Sequence, residues 1–209
     1  MIILAHRGFW LNPEEKNTLD AFERAWLRGW GVEIDVRDCA GKLVISHDPP
    51  RGHEPELATI LARHATLAPA STLAVNIKAD GLHRQLGDAL KSQGVQDYFL
   101  FDMSTPDHLV LARSGFRCFT RQSEIEPDPI LYDQSEGVWL DEFSNHWIDV
   151  DIVRGHQERG KRVAIVSPEL HGREYDLEWR DYRDELGPDG IVDLMLCTDH
   201  PDKAEGFFK

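Results

Sequence analysis

The sequence predicts an α/β protein, a compact (β/α)8 TIM barrel formed as a single domain over residues 1–209. First, short runs rich in β-branched and aromatic residues alternate with helical patterns, which implies parallel strand pairing. Second, eight such units fit into 209 residues, near the lower size limit of this barrel. Third, no glycine-rich phosphate loop follows the first run, which disfavours the alternative of a doubly wound open sheet.

The predicted elements follow one another along the chain with little linker between them. Strands are predicted at Ile2–Ala5, Val32–Val36, Leu73–Ile77, Tyr98–Phe101, Phe116–Phe119, Val138–Leu140, Arg162–Val166 and Val192–Leu196, with a short additional run at Leu43–Ser46. Helices are predicted at Thr18–Arg28, Glu56–His64, Gly81–Ser92, Pro106–Ser114, His146–Arg159, Arg173–Glu185 and Pro201–Phe208. In the first helix, Leu19, Phe22 and Trp26 recur at helical spacing, and Gly29 follows its end.

Composition and charge limit the class of partner. Hydrophobic residues make up 41% and charged residues 29% of the chain, the ordinary balance of a globular protein, and no apolar run reaches the ~20 residues that span a bilayer. The formal net charge of −14 repels nucleic acid and anionic lipid, so we expect neither a nucleic-acid partner nor stable membrane insertion. The opening Met1–Ala5 is too short for a signal peptide, which favours a cytoplasmic location. The oligomeric state is not encoded in these features.

The second predicted strand carries two acidic side chains on one face. Side chains alternate along a strand, so Glu33 and Asp35 lie about 7 Å apart at the backbone and point the same way. Two buried anions this close are costly unless one is protonated or a cation lies between them. A hard divalent cation, Mg²⁺ or Ca²⁺, is one solution. The other is a salt bridge to a basic residue on a neighbouring strand or loop: Arg7, Arg37 or Lys78.

Two histidines come at the ends of predicted strands. His6 follows the first strand, and His47 follows the short additional run. Barrel enzymes place catalytic groups at such ends, although a lone histidine there is more often structural. Two histidines on either side of an acidic pair favour proton transfer, since imidazole donates and accepts protons near neutral pH. The neighbouring Asp48 either orients His47 or caps the turn before Pro49.

Basic and aromatic residues near the strand ends are candidates for substrate contacts. Arg7 follows the first strand and Lys78 the third, where either could bind a phosphate and stabilise charge developing on it. The alternative for Lys78 is an ion pair with the acidic residues of the second strand. Trp139, near the end of the sixth strand, is predicted to form a substrate wall, with core packing as the alternative.

These segments together resemble the glycerophosphodiester phosphodiesterase superfamily, which also includes the sphingomyelinase D toxins and the phosphatidylinositol-specific phospholipases C. The similarity is dense over the first 50 residues, at Ala5–Gly8, at Asn17-Thr18 followed by Ala21-Phe22, at Glu33–Val36 and at Val44–Asp48. It is thinner at Asn76–Lys78 and at Thr198–Pro201. Each segment is weak alone, whereas their order and spacing are specific.

The resemblance implies a (β/α)8 barrel and a phosphoric diester hydrolase that acts on a small, glycerol- or glycan-linked phosphodiester. It implies that His6 and His47 form the acid/base pair. In such enzymes a substrate hydroxyl next to the phosphate often attacks first and gives a cyclic phosphodiester. We expect His6 to be the base and His47 the acid in that step, with the reverse assignment open.

The resemblance also implies that Glu33 and Asp35 bind the divalent cation and that Arg7 and Lys78 contact the phosphate or tune the metal site. One position departs from the family, because Asn76 stands where an acidic third ligand is usual. An amide oxygen still suits Mg²⁺ or Ca²⁺, but the site loses one negative charge. We therefore expect weaker cation binding or help from another carboxylate.

Alternative functions remain open at this stage. A lyase would stop at the cyclic phosphate, and a non-catalytic binder would hold a phosphorylated ligand beside a weakened metal site. The presence of both His6 and His47 disfavours the binder, which needs no proton carrier. A different metal hydrolase on the same barrel is disfavoured because such enzymes usually begin with a His-x-His pair, whereas His6 is followed by Arg7 and Gly8.

Overall fold

A computed structural model describes residues 1–209, apart from the side chain of residue 189. The strands are β1 Ile2–His6, β2 Gly31–Cys39, β3 Lys42–Ile45, β4 Leu73–Ile77, β5 Tyr98–Phe101, β6 Phe119–Ser123, β7 Gly137–Asp141, β8 Arg162–Val166 and β9 Met195–Thr198. The helices are α1 Leu19–Trp26, α2 Leu57–Leu67, α3 His83–Ser92, α4 Thr105–Arg113, α5 Val150–Glu158, α6 Asp176–Ile191 and α7 Pro201–Phe208. Short 3₁₀ helices occur at Pro13–Glu15, Tyr132–Gln134 and Pro168–His171. The predicted alternation of strands and helices is confirmed.

The chain forms two compact units, which we call the N-terminal unit (Ala5–Cys118) and the C-terminal unit (Phe119–Lys209 with Met1–Leu4). In the N-terminal unit, β4 pairs in parallel with both β2 and β5, and β3 pairs antiparallel with β2. In the C-terminal unit, β7 pairs in parallel with β6 and β8, and β8 with β9. The parallel pairing confirms the predicted α/β class. One domain over residues 1–209 stays a prediction.

The first helix, α1, buries the apolar face that its helical spacing predicts. Phe22 and Trp26 of α1 are buried, and α1 packs against β2 and α2. The side chain of Thr18 caps the helix by accepting a hydrogen bond from the backbone N–H of Ala21 at 3.4 Å. The cap and the apolar face therefore fix α1 next to the strand that carries the acidic pair.

The hairpin after β2 leads the chain into the loop that carries His47. Ala40 and Gly41 connect β2 to β3 with φ angles of 50° and 80°, the two positive values that a tight type I′ hairpin needs. The pairing places Val36 opposite Ile45, so the segment after Ile45 leaves the sheet close to the end of the acidic face. The backbone N–H of Ser46 donates to the carbonyl of Asp35 at 3.0 Å and fixes the start of the loop that carries His47.

Two strands lie further along the chain than predicted. β6 covers Phe119–Ser123 rather than Phe116–Phe119, because this strand is polar and its half-buried side chains find partners outside the sheet. Arg121 pairs with Glu126 at 2.5 Å, for example. β9 begins at Met195 rather than at Val192, which is 58% exposed. A hydrophobicity pattern does not detect a strand whose side chains are polar. It also assigns Val192 to a strand because valine favours strands, although this side chain is exposed.

The helices of the described chain include none that is both long and apolar enough to cross a bilayer.

Gly8 lies where the chain turns from β1 towards α1, and we expect Gly8→Ala to lower the free energy of unfolding by about 2–5 kcal/mol. Its φ is +89°, and a Cβ there would lie 2.8 Å from the backbone carbonyl carbon of Ala21. Urea denaturation measures the loss. Gly29→Ala is the matched control, because Gly29 has a φ of +78° with nothing within 4 Å, and backbone strain alone costs about 1–2 kcal/mol. Equal losses in both variants would show that the close approach to α1 is unimportant.

Buried histidines give the stability of the fold a pH dependence. Burial lowers the pKa of His64, whose Nε2 lies 3.0 Å from the Ser71 carbonyl oxygen. The folded state then keeps this imidazole neutral while the unfolded chain protonates it below its usual pKa of about 6.5. The stabilisation is complete above that pH and is lost below it, with a slope of at most about 1.4 kcal/mol per pH unit.

We therefore expect His64→Gln to reduce the fall in the free energy of unfolding between pH 7.5 and pH 5. Urea titrations of wild type and variant at both values measure the difference. His53→Gln, at an exposed position, is the control and should leave the pH dependence as in wild type. The prediction fails if His64→Gln and wild type lose the same stability on acidification.

Candidate active site

The N-terminal unit brings together six of the eight predicted site residues, at the end of β1, in the part of β2 that pairs with β4, and at the end of β4. His6 ends β1 and Arg7 follows it, while Lys78 follows Ile77 at the end of β4. The register of β2 and β4 puts Asp35 directly beside Asn76. Residues separated by up to 72 positions in sequence therefore meet because parallel strands end at the same edge of a sheet. The six are His6, Arg7, Glu33, Asp35, Asn76 and Lys78.

Glu33 is a carboxylate inside the protein, at 1% exposure. Its Oε2 lies 4.0 Å from Nε2 of His6 and accepts a hydrogen bond from the backbone N–H of Arg7 at 3.3 Å. Burial, with the negative charge of Asp35 next, raises the pKa of Glu33 to about 8. The protein alone thus supplies too little positive charge to keep this carboxylate ionised at neutral pH.

Asp35 is completely buried and has basic partners. Its Oδ2 lies 3.1 Å from Nε of Arg7, and its Oδ1 lies 3.5 Å from Nζ of Lys78. Oδ2 also accepts a hydrogen bond from the side-chain amide of Asn17 at 2.8 Å. The salt bridge that the sequence left open as an alternative is therefore present at Asp35.

The same side chains fit a hard divalent cation. Among the described residues, neither Oδ1 of Asp35 nor Oδ1 of Asn76 has a hydrogen-bond partner, although both atoms are buried. Native proteins pair almost all buried oxygens, and Oδ1 of Asp35 has only the ion-pair contact with Nζ of Lys78 at 3.5 Å, so both oxygens could still bind a cation. Carboxylate and amide oxygens are the ligands that Mg²⁺ and Ca²⁺ prefer. Asp102, whose Oδ2 lies 4.0 Å from Nζ of Lys78, adds a third carboxylate at the same edge.

The backbone at Arg7 is held in an unusual conformation. Its φ of 56° lies in the left-handed region, which costs a non-glycine residue about 1–3 kcal/mol. Hydrogen bonds hold it there: its N–H donates to the Glu33 carbonyl at 3.1 Å, and its carbonyl accepts from the Asn17 N–H at 3.0 Å. The indole of Trp10 donates to the His6 carbonyl at 3.2 Å. The conformation turns the Arg7 side chain back towards Asp35.

His47 lies on the loop after β3, with its side chain 45% exposed. Its Nδ1 is 2.9 Å from Oδ1 of Asp48, and this hydrogen bond is the main cause that lowers the pKa of Asp48. Of the two alternatives for Asp48, the structure shows the contact that orients His47. His47 and Arg7 line one cavity of about 590 Å³, together with Lys16 and Arg51. Glu14, Asp48 and Glu54 also line this cavity, so a phosphate-bearing molecule would meet both basic and acidic side chains there.

Trp139 lies in β7 of the C-terminal unit and is 4% exposed. It is paired in register with Arg121 of β6 and Ala164 of β8. Such burial favours the packing alternative, and a contact of Trp139 with substrate stays a prediction.

Some polar contacts escape sequence analysis. Asn17 holds Asp35 through its side-chain amide, and its own buried Oδ1 has no hydrogen-bond partner in the described part of the chain. The sequence signal for this contact was the occurrence of Asn17-Thr18 together with Glu33–Val36 in the segments that resemble the family. A second such contact joins His171 to the end of β7, where its Nε2 lies 2.6 Å from Oδ1 of Asp141. That carboxylate raises the pKa of His171.

The fold is the (β/α)8-barrel fold that the sequence predicts, and it matches solved structures of glycerophosphodiester phosphodiesterases. A structure from Galdieria sulphuraria, assigned as such an enzyme, has a TM-score of 0.75 and 18% identity over 99% of this chain and 97% of its own. An Oleispira antarctica phosphodiesterase in complex with the product sn-glycerol-3-phosphate has a TM-score of 0.65 and 18% identity, over 99% of this chain and 96% of its own.

A more distant similarity extends to the phospholipase branch. A Ca²⁺-dependent phosphatidylinositol-specific phospholipase C from Streptomyces antibioticus has a TM-score of 0.58 and 10% identity, over 100% of this chain and 95% of its own. Comparison with protein-family models and with curated proteins gives no match. These similarities establish the fold of the chain.

Proposed function

We propose that the protein is a divalent-cation-dependent phosphodiesterase that cleaves a small glycerol-linked phosphodiester by histidine acid/base catalysis. The observation that carries this proposal is the collection of His6, Glu33, Asp35 and Asn76 at one edge of the N-terminal unit, with Arg7 beside them. Proton transfer, cation binding and phosphate binding all require side chains of these types, and here they lie within one site. A cytoplasmic location remains a prediction.

Glu33, Asp35 and Asn76 are the residues that would hold the cation, Mg²⁺ or Ca²⁺. When bound, the cation would withdraw charge from the phosphate oxygens and make phosphorus more electrophilic. Asp35 would then bind the cation, and its ion pairs with Arg7 and Lys78 would weaken. Those two side chains would become available to the phosphate. The phospholipase similarity supports this choice of cation, since that relative is Ca²⁺-dependent.

The histidines would carry the protons of the cleavage. A hydroxyl of the substrate, next to the phosphate, attacks phosphorus while His6 takes its proton, and a new O–P bond closes a cyclic phosphodiester. The O–P bond to the leaving alcohol breaks, and protonated His47 donates its proton to that oxygen. Opening of the ring by water reverses the proton roles and gives a phosphomonoester. Asp48 holds the His47 ring through Nδ1.

Phosphorus NMR tests this function. The protein is incubated with glycerophosphocholine, glycerophosphoethanolamine and glycerophosphoinositol, each with added Mg²⁺ or Ca²⁺ and each with excess chelator. We expect a phosphomonoester in at least one cation-containing sample and none with chelator. A cyclic product that accumulates would instead identify the lyase. Turnover that persists in chelator would refute the role given to the cation.

The ion pairs of Asp35 favour one competing function, a non-catalytic binder. With Asp35 held by Arg7 and Lys78, and with an amide at Asn76, the site could hold a phosphorylated ligand without a cation. Under this alternative no substrate turns over with any cation, while glycerol 3-phosphate binds equally well with and without chelator. Calorimetry of that ligand therefore separates the two functions.

A further inference from the structure

A second group of metal-ligating side chains lies in the C-terminal unit, apart from the residues of the candidate active site. Glu142 and His146 belong to the loop between β7 and α5, and Glu178 belongs to the first turn of α6. One ligand atom from each of the three residues can be chosen such that all lie within 4.8 Å of one another. The separation of His146 Nδ1 from Glu178 Oε2 is 3.8 Å.

The geometry of Glu142 is fixed before any ligand binds. This side chain is completely buried, and its Oε1 accepts hydrogen bonds from the backbone N–H groups of Trp147 and Ile148, both at 2.8 Å. Tyr182 donates its hydroxyl to Oε2 at 3.2 Å. His146 Nδ1 lies 2.9 Å from Oε1. The buried carboxylate therefore organises the loop and keeps Oε2 directed at α6.

Glu178 supplies an independent sign that the cluster lacks a partner. The residue is 7% exposed, and its Oε1 contacts the guanidinium of Arg173. Its Oε2 is buried and is without a hydrogen-bond partner within the described residues, although it faces His146. A buried carboxylate oxygen aimed at an imidazole and left unpaired is expensive, and a cation between them would satisfy it.

The local charge also favours a dication. Asp181, whose Oδ2 lies 3.8 Å from Nε2 of His146, adds a third carboxylate to Glu142 and Glu178. Arg173 is the basic partner of the two buried carboxylates, at 3.5 Å from Oε2 of Glu142. Burial, followed by the hydrogen bond and the negative charge of Glu142, raises the pKa of Glu178 to about 8. One guanidinium therefore does not offset the acidic groups here, and a divalent cation would supply the missing positive charge.

We propose that Glu142, His146 and Glu178 form a second cation site, selective for Zn²⁺ or a similar transition metal, that clamps the β7–α5 loop to α6. One imidazole and two carboxylates suit Zn²⁺ better than Mg²⁺ or Ca²⁺, which take oxygen ligands almost exclusively. Tetrahedral Zn²⁺ places its ligand atoms about 3.3 Å apart, so the observed spacing needs only small side-chain movements. The site does not depend on the proposed phosphodiesterase activity.

Zinc titration calorimetry of the whole protein tests the site, with Mg²⁺ held in millimolar excess to occupy sites of oxygen ligands. We expect wild type to bind one equivalent of Zn²⁺ at this site. His146→Ala and Glu178→Gln should each weaken binding by tenfold or more. Hydrogen exchange in residues 142–149 should slow on Zn²⁺ addition in wild type and stay unchanged in both variants.

Two variants serve as matched controls. Glu185→Gln removes an exposed carboxylate from the same helix, and His53→Ala removes an exposed histidine elsewhere in the chain. Both should bind Zn²⁺ as wild type does. Unchanged affinity in His146→Ala would overturn the proposal, as would equal weakening by the controls or no Zn²⁺ binding by wild type. Because His146 is exposed, its replacement should not prevent folding even if Glu178→Gln does.

Discussion

His6→Gln is expected to lower kcat by about 10²- to 10⁴-fold on whichever glycerophosphodiester the wild type cleaves. Glutamine has a similar size and can hydrogen bond, but it cannot carry a proton at neutral pH. The carbonyl of residue 6 accepts from Trp10, and this contact needs no imidazole. The fold around β1 should therefore survive. Steady-state kinetics with saturating cation, together with a urea titration, separates loss of catalysis from loss of structure.

The control for this variant is His83→Gln, a histidine at the start of α3 in the same unit. It should keep kcat within about twofold of wild type, since general acid/base effects require contact with the reacting atoms. His47→Gln should reproduce the loss seen in His6→Gln and should remove one limb of the pH–rate profile. If kcat of a folded His6→Gln protein stays within threefold of wild type, His6 is not the base.

Asn76→Asp is expected to tighten binding of Mg²⁺ or Ca²⁺ by at least tenfold, which is about 1.4 kcal/mol. The new carboxylate would lie beside Asp35 in the register of β2 and β4, where it restores a full acidic ligand. Without cation, the same substitution should destabilise the fold, because it adds another acidic group to a buried pair in which the pKa of Glu33 is already raised to about 8. Calorimetry and cation-dependent urea unfolding measure the two opposite effects.

Asn76→Leu is the matched control, since leucine keeps the volume and removes the amide oxygen. We expect it to weaken cation binding, and a urea titration of the variant measures the separate cost of losing the hydrogen bond between Asn76 and Glu33. Equal cation affinity in wild type, Asn76→Asp and Asn76→Leu would show that this residue is not a ligand. In that case Asp102 becomes the next carboxylate to test.

Local patterns predicted the parts of this protein that depend on local physics. The alternation in β2 placed Glu33 and Asp35 on one face, and the helical spacing of Phe22 and Trp26 located α1. Local patterns misplaced β6 because its polar side chains are satisfied by partners outside the strand, such as Glu126. Periodicity indicates which side chains are buried, but it does not indicate which polar groups form hydrogen bonds or ion pairs with each other.

The sequence by itself determined the α/β barrel class and the residue types of the active site, because strand pairing and side-chain alternation follow from short-range sterics. Only the tertiary structure decided how charge is distributed in that site: Asp35 obtains Arg7, Lys78 and Asn17, while Glu33 is left buried with a raised pKa. It also brought Glu178 to within reach of Glu142 across 36 residues of sequence. Electrostatic energy depends on distance and burial in three dimensions, and neither quantity is contained in a local pattern.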